Sequence, residues 1–342
     1  MAGNSNNCKL AVDLRVNVEI INLIAIRFLR LCALVLCVAF AVFLLMKASP
    51  IDPVDAYLGP AMAYVGPEQK MQIAAIWGLD RPVYEQFLRW AGNILTGDLG
   101  FSITYNAPVS EVMSGRIGAS LTLTGLAWLL SGLLGFALGL VSAAYEGRWI
   151  DRVIRLYCYL LAATPTFWLA MLMLALFSVK LGWTPICCAG PIGVPSDQVS
   201  LLERIQHLIL PLSALTLFGV AQIALHSRAK LIEVLQSDYI TFARAQGARQ
   251  GDIILRHGVR NAALPALTVL FASIGEIFGG AILAEQVFAW PGLGRATVEA
   301  GIRGDVALLL AIAMLMTVIV STGNMIADLL YRVVDPRLRE GA

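Results

Sequence analysis

The sequence of 342 residues is poor in charged residues and lacks the short motifs that mark common catalytic sites. Asp, Glu, Lys and Arg make up 14% of the chain, whereas an average domain has about 25%. The dipeptide Gly-Lys does not occur, which excludes a P-loop for ATP, and G-x-S-x-G, H-E-x-x-H and C-x-x-C are also missing. We therefore expect no catalytic residue, no cofactor or metal held by this chain, and no nucleic-acid surface.

Histidine and cysteine are too scattered to predict a metal site. The three histidines lie far apart in the sequence, and the six cysteines show no zinc-ligand spacing. Cys187 and Cys188 are adjacent, and the sequence leaves open whether they are oxidised.

Hydrophobic residues make up 58% of the chain and gather in six long runs. Because a membrane-spanning helix needs about 20 apolar residues, the runs predict an all-α, polytopic membrane protein with six transmembrane helices. No cleavable signal peptide is evident, so the first run is expected to remain as a span. Pro165 predicts a kink, and Gly135 with Gly139 permits close helix packing. The predicted spans are 26–46, 117–145, 156–179, 207–225, 262–288 and 306–330.

The predicted spans divide the chain into tails, an outer segment and a core. The N-terminal tail alternates polar and apolar residues with a strand-like period of two, and we assign it no function. The predicted divisions are a tail at 1–25, the first span with a long outer segment at 26–116, a core of five spans at 117–331 with a polar loop at 227–261, and a C-terminal tail at 332–342.

The distribution of basic residues predicts the orientation of the chain. Of the 25 lysines and arginines, sixteen lie in the two tails and the two short loops on their side, and nine lie on the other side. The positive-inside rule therefore places both termini in the cytoplasm.

The polar segment from Ser237 to Thr268 predicts two short helices joined at a glycine. Ser237 or Asp238 can cap the first helix, Gly247 suits a left-handed residue at its end, and Asp252 can cap the second.

The first of these helices carries an unusual surface for a loop. Tyr239, Phe242, Ala243 and Gln246 follow the spacing of one helical face. Cytoplasmic charge alone would explain the arginines of the loop, but two aromatic side chains on a capped helix indicate a surface for a soluble partner.

Several stretches of the chain resemble one family of membrane proteins. ARAQGA and RHGVRNAALP are similar to the cytoplasmic coupling loop of ABC-importer permeases, in the branch that moves dipeptides, oligopeptides and nickel. Similar stretches follow the same order in the rest of the chain, and the resemblance covers roughly residues 26 to 340. They are WGLDRPVYEQFLRW (77–90), TGDLGFSI (96–103), PTFWLA (165–170), FAWPGLGR (288–295) and DPRLR (335–339).

The resemblance implies a type I ABC-importer permease in the bacterial inner membrane. It implies a second related permease, two ATPase subunits that bind ATP and Mg²⁺ on the cytoplasmic side, and an extracytoplasmic substrate-binding protein, with membrane lipid around the spans. The residues expected to dock on the ATPase are Asp238, Tyr239, Phe242, Ala243, Arg244 and Gly247.

Glu276 is the one acidic residue well inside a predicted span, followed closely by Gly279 and Gly280. An intramembrane carboxylate is costly, so it either bonds within the bundle or faces a translocation path. Its setting, SIGEIFGGAIL, resembles the nickel permeases of the family and tilts the expected substrate toward a metal ion or chelate. The alternative is an ion- or proton-coupled secondary transporter that uses Glu276, although no internal repeat of the kind typical of such folds is evident. A membrane enzyme is the third possibility and is disfavoured by the missing motifs.

Overall fold

The computed structural model of the chain describes residues 25–45, 47–48, 53–58, 64–195 and 198–334. Within these ranges the regular secondary structure is helical except for one small hairpin, which confirms the predicted all-α class. The predicted tails at 1–25 and 332–342, and the DPRLR stretch, lie almost wholly outside the described residues.

Four of the described helices are each long and apolar enough to cross a membrane. They correspond to the first, second, fourth and sixth predicted spans, and the second and fourth continue well beyond the predicted bounds. These helices are α1 (Ala25–Leu45), α5 (Val109–Ala144), α8 (Leu201–Leu235) and α14 (Val306–Val334).

The third and fifth predicted spans are each built from two helices that meet at a bend. The first pair is bent by 104° and the second by 48°, so the described chain has six spans if each pair counts as one. The predicted kink at Pro165 is confirmed, because Thr164 before it is extended and ends the preceding helix. The pairs are α6 (Trp149–Ala163) with α7 (Thr166–Met173, continued as a π-helix over Leu174–Lys180), and α11 (Val259–Ala272) with α12 (Ile274–Val287).

Glycines let α5 and α8 approach each other until their backbones touch. A Cβ added at Gly135 would lie 2.8 Å from Cβ of Ile223, and one added at Gly139 would lie 2.6 Å from the carbonyl oxygen of Ala224. The close packing predicted from these two glycines is therefore confirmed. Hydrophobic side chains from α5, α7, α8 and α12 form one buried cluster beside this contact, including Leu123, Ala170, Leu215 and Ala281.

The outer segment between α1 and α5 is a series of short helices and the hairpin. One of the helices is amphipathic and packs on the first span, because Phe87 contacts Phe40 and Phe43 with ring centroids 5.2 and 5.4 Å apart. The elements are α2 (Pro53–Leu58), α3 (Pro67–Trp77), α4 (Val83–Leu95) and antiparallel strands β1 (Phe101–Ser102) and β2 (Ala107–Pro108).

Three further short helices lie at the two ends of the bundle. The end with α9 and α10 is named the inner end, and the opposite end with α13 is named the outer end. Their bounds are α9 (Asp238–Ala245), α10 (Gln250–Ile253, continued as a π-helix over Ile254–Gly258) and α13 (Leu293–Arg303).

The loop between α7 and α8 is fastened to the outer end by adjacent cysteines. Cys187 and Cys188 form a disulfide with each other. The backbone N–H of Cys188 donates to the carbonyl oxygen of Phe288 at 2.8 Å, and Nδ1 of His207 lies 2.9 Å from the carbonyl oxygen of Cys187.

Candidate functional site

The helix α9 is held on the bundle by one buried side chain. Ile240 is fully buried and packs with Leu231 and Leu235 of α8 and with Ile253 of α10. Asn261 at the start of α11 adds a hydrogen bond from Nδ2 to the Tyr239 hydroxyl oxygen at 3.2 Å. The helix is therefore fixed to the ends of the spans on both sides of the loop.

The residues of α9 that are expected to dock on a partner are more exposed than Ile240. Tyr239 is 48% exposed and Phe242 is 65% exposed. Asp238 and Arg244 are also exposed, while Ala243 is half-buried. Burial of an exposed Phe side chain in a partner would contribute about 1.5–3 kcal/mol of favourable free energy.

The first helix of the loop ends in a left-handed residue at Gly247, as the sequence predicts. Its φ of 86° is left-handed, and its N–H donates to the carbonyl oxygen of Arg244 at 2.9 Å. The prediction that Asp252 caps the second helix is wrong, since α10 begins at Gln250 with Arg249 at the N-cap and Asp252 in the first turn. Burial of Ile253 against α8 and α9 sets the phase of this short helix.

Glu276 lies in the first turn of α12, just after the bend at Ser273. Its side chain is exposed on the surface of the single chain, and it has no hydrogen-bond or ion-pair partner among the described residues. Gly279 is exposed on the same helical face, and Leu283 and Gln286 continue that face toward the outer end. An unpaired carboxylate on this face is poorly suited to contact with lipid tails.

Gly280 does not share the face of Glu276. It is buried, and an added Cβ would lie 3.5 Å from Cγ2 of Thr166 and 3.7 Å from Cδ2 of Leu215. This glycine therefore lies in the packing of α12 against α7 and α8.

A buried ion pair near the inner end was not predicted. The Asp151 side chain is fully buried, and its carboxylate accepts hydrogen bonds from Nε and a terminal nitrogen of Arg228 at 2.7 and 2.9 Å. Ser142 Oγ and the backbone N–H of Gly147 also donate to it, at 2.6 and 3.0 Å. Arg155 Nε lies 3.3 Å away without the angle of a hydrogen bond.

The fold is that of a permease of the type found in ABC importers. A chain of the MetNI methionine ABC transporter, crystallised in inward-facing conformations, matches the structure with a TM-score of 0.53 at 16% identity, covering 66% of this chain and 97% of that chain. This likeness shows the fold alone.

The sequence assigns the chain to a family. Residues 135–340 match the model of the binding-protein-dependent transport system inner membrane component, and the chain belongs to that family. It is therefore a multi-pass protein of the bacterial inner membrane and the permease subunit of an ABC importer, which works with ATPase and substrate-binding partners. The secondary-transporter alternative is not supported.

Curated relatives match over nearly their whole length. The oligopeptide transport system permease protein AppB of Bacillus subtilis is 35% identical over 297 residues, covering 86% of this chain and 92% of that protein. The di/tripeptide transport system permease protein DppB of Pseudomonas aeruginosa is 32% identical, covering 88% and 94%. The glutathione transport system permease protein GsiC of Salmonella paratyphi A is 34% identical, covering 93% and 99%.

Proposed function

We propose that this chain forms half of the translocation path of a di- or oligopeptide importer and that α9 docks on an ATPase subunit. A second related permease supplies the other half, and two ATPase subunits bind the ATP and Mg²⁺. The observation that carries the docking is the two-sided character of α9, with Ile240 buried below and Phe242 exposed above.

A helix with one apolar side in water is suited to a groove on a partner protein. Such contacts bury the aromatic residues of the exposed side in a hydrophobic groove. Ile240 and Gly247 fix the direction of α9. A force that the ATPase exerts on the exposed side of α9 is therefore transmitted to the spans and does not merely deform the loop. In this mechanism, α9 is the coupling helix of this chain. Closure of the ATPases around ATP moves it together with the coupling helix of the second permease, and the central cavity switches between its inward- and outward-facing forms.

The docking is tested by Phe242→Asp, with Arg249→Ala as the matched control on an exposed residue of the same loop. A carboxylate in the groove would be buried without a partner, at a cost of several kcal/mol. We expect Phe242→Asp to insert normally and to lose its ATPase subunits on purification, or to keep them with transport uncoupled from hydrolysis. Arg249→Ala should behave like the wild type. Full ATPase binding and full uptake by Phe242→Asp would disprove the docking.

The face of α12 that carries Glu276 supplies the polar wall of the path. Glu276 and Gln286 are the polar ends of this exposed face, and Gly279 between them leaves room for a solute. The carboxylate attracts cationic groups, among them the protonated amino terminus of a peptide. Gly280 contributes packing instead.

Peptides are the substrate class best supported for this chain. The three relatives are named for oligopeptides, di/tripeptides and glutathione. The case for a metal ion or chelate as substrate rests on the sequence around Glu276 alone. ATP hydrolysis by the reconstituted complex should rise with its binding protein and alanine tripeptide; stimulation by Ni²⁺ and not by peptide would reverse the assignment.

A further inference from the structure

The buried pair of Asp151 and Arg228, with Ser142, joins three helices near the inner end of the bundle. Asp151 lies in the first turn of α6, Arg228 lies two turns before the end of α8, and Ser142 lies in the last turn of α5. The two nitrogens of the guanidinium grip both carboxylate oxygens, which fixes the angle between α6 and α8 as well as their distance. Such a pair resists rotation in a way that apolar contacts do not.

Two of these helices, α5 and α8, continue into the packing of α9. Ala143 follows Ser142 along α5, and Leu231 follows Arg228 by one turn of α8. Both residues belong to the buried cluster that holds Ile240 of α9. The helices α5 and α8 therefore connect the cluster that holds α9 to the residues that bond Asp151.

Beyond Asp151, α6 leads to the bend of 104° at Pro165. Residues after the bend pack against α12, since Thr166 contacts the position of Gly280. A rotation of α6 would therefore reach the helix that carries Glu276. The other described ion pair on α8, between Lys230 and Glu233, is exposed and lies within one helix, so it cannot act in this way.

We infer that Asp151 and Arg228 are positioning residues that transmit movement of the coupling helix to α6 and the path. This inference rests on the proposed docking of α9. This role requires the planar guanidinium of Arg228, because a lysine would keep the charge but could not make the two parallel hydrogen bonds.

The test uses the complete complex of permeases and ATPases in lipid vesicles. Ala163→Cys places an exposed reporter at the end of α6, and its labelling by a maleimide is followed by mass spectrometry before and after trapping with ATP and vanadate. In the otherwise wild-type complex, trapping should change the labelling rate. Arg228→Lys should retain its ATPase subunits and hydrolyse ATP, while the change on trapping falls at least about fivefold, as expected for a lost coupling. Glu233→Gln, which breaks the exposed pair, should leave the change intact.

A purely structural role makes different predictions. If Arg228→Lys lowers only the yield or the melting temperature and keeps the change on trapping, the inference is wrong. It is also wrong if the reporter in the wild type does not respond to trapping, or if both Arg228→Lys and Asp151→Asn fail to assemble. If α9 does not dock on the ATPase, this would be seen separately, because Phe242→Asp would then keep its ATPase subunits and its uptake.

Discussion

Ser120 and Glu285 meet inside the outer end of the bundle and together organise the start of α13. Ser120 Oγ donates to Glu285 Oε1 at 2.6 Å and accepts from the backbone N–H of Leu293 at 2.7 Å. Glu285 Oε2 accepts from the backbone N–H of Arg295 at 3.1 Å. The Ser120 hydroxyl and the Glu285 carboxylate, which come from two other helices, thus bond N–H groups that the first turn of α13 cannot pair internally.

Gly294 should be intolerant of any side chain because of this arrangement. A Cβ there would lie 2.6 Å from Cα of Ile282 and 2.9 Å from Glu285 Oε2. We expect Gly294→Ala to destabilise the protein by about 1–3 kcal/mol, as overpacking usually does. The melting temperature in detergent would show the loss. Gly301→Ala, on the same helix with nothing within 4 Å, should be neutral or stabilising, and equal losses in the two variants would contradict the explanation.

Gly247 should be needed for its backbone angle alone. No atom lies within 4 Å of an added Cβ, while its φ is 86°. Gly247→Ala should therefore cost about 1 kcal/mol or more and misdirect α10 relative to α9. Hydrogen exchange of residues 238–253 should become faster in this variant. The control is Gly251→Ala, which also has free space but no positive φ; faster exchange there as well would point to a general sensitivity of the loop.

Glu276→Gln should reduce uptake while assembly and basal ATP hydrolysis persist. We expect uptake of a lysine tripeptide to fall about tenfold, equivalent to about 1.4 kcal/mol, and uptake of an alanine tripeptide to fall less. The variant keeps the shape of the side chain and removes the charge that attracts cations. Glu111→Gln, an exposed acid at the start of α5, serves as the control. Unchanged uptake of both peptides by Glu276→Gln would remove this residue from the path.

The hydrogen bond between Tyr105 and Glu299 should stabilise the outer end in a pH-dependent way. Burial, and then the bond to Glu299, raise the pKa of Tyr105 to about 12, so the hydroxyl stays a donor. Burial tends to raise the pKa of Glu299, but hydrogen bonds from Tyr105 and Arg295 outweigh it, and that pKa lies below its usual value.

Tyr105→Phe should therefore lower the melting temperature most at neutral pH. A carboxyl with a depressed pKa contributes stability above its unfolded pKa of about 4.3, and the contribution is lost as the pH falls through the folded pKa. The difference in free energy of unfolding between wild type and variant, about 1 kcal/mol at pH 7, should become smaller below a pH of about 4. A difference that is the same at pH 7 and pH 3.5 would mean that the contribution of the hydroxyl does not depend on the charge of Glu299.

Features that depend on neighbouring residues could be predicted from the sequence. The bend at Pro165 follows from the ring of proline and its effect on the preceding residue, and the turn at Gly247 follows from a helix that ends in glycine. The six apolar runs are likewise local, because each span must satisfy its own backbone in lipid.

Features that depend on how the helices pack could not be predicted in this way. Asp151 and Arg228 are 77 positions apart, and each alone resembles an ordinary charge at the end of a span. Gly279 and Gly280 are adjacent, yet a step of one residue along a helix turns them to different surfaces. Only the packed structure shows which glycine faces outward.

The contact between α5 and α8 also constrains how the protein is made. These two helices are separated in the chain by α6 and α7. The groove around Gly135 and Gly139 therefore has no helix to fill it while the first half of the chain enters the membrane. Synthesis must proceed through Leu235 before the whole of α8 can fill it. A nascent chain that stalls before α8 would therefore leave this groove open to lipid or to other helices.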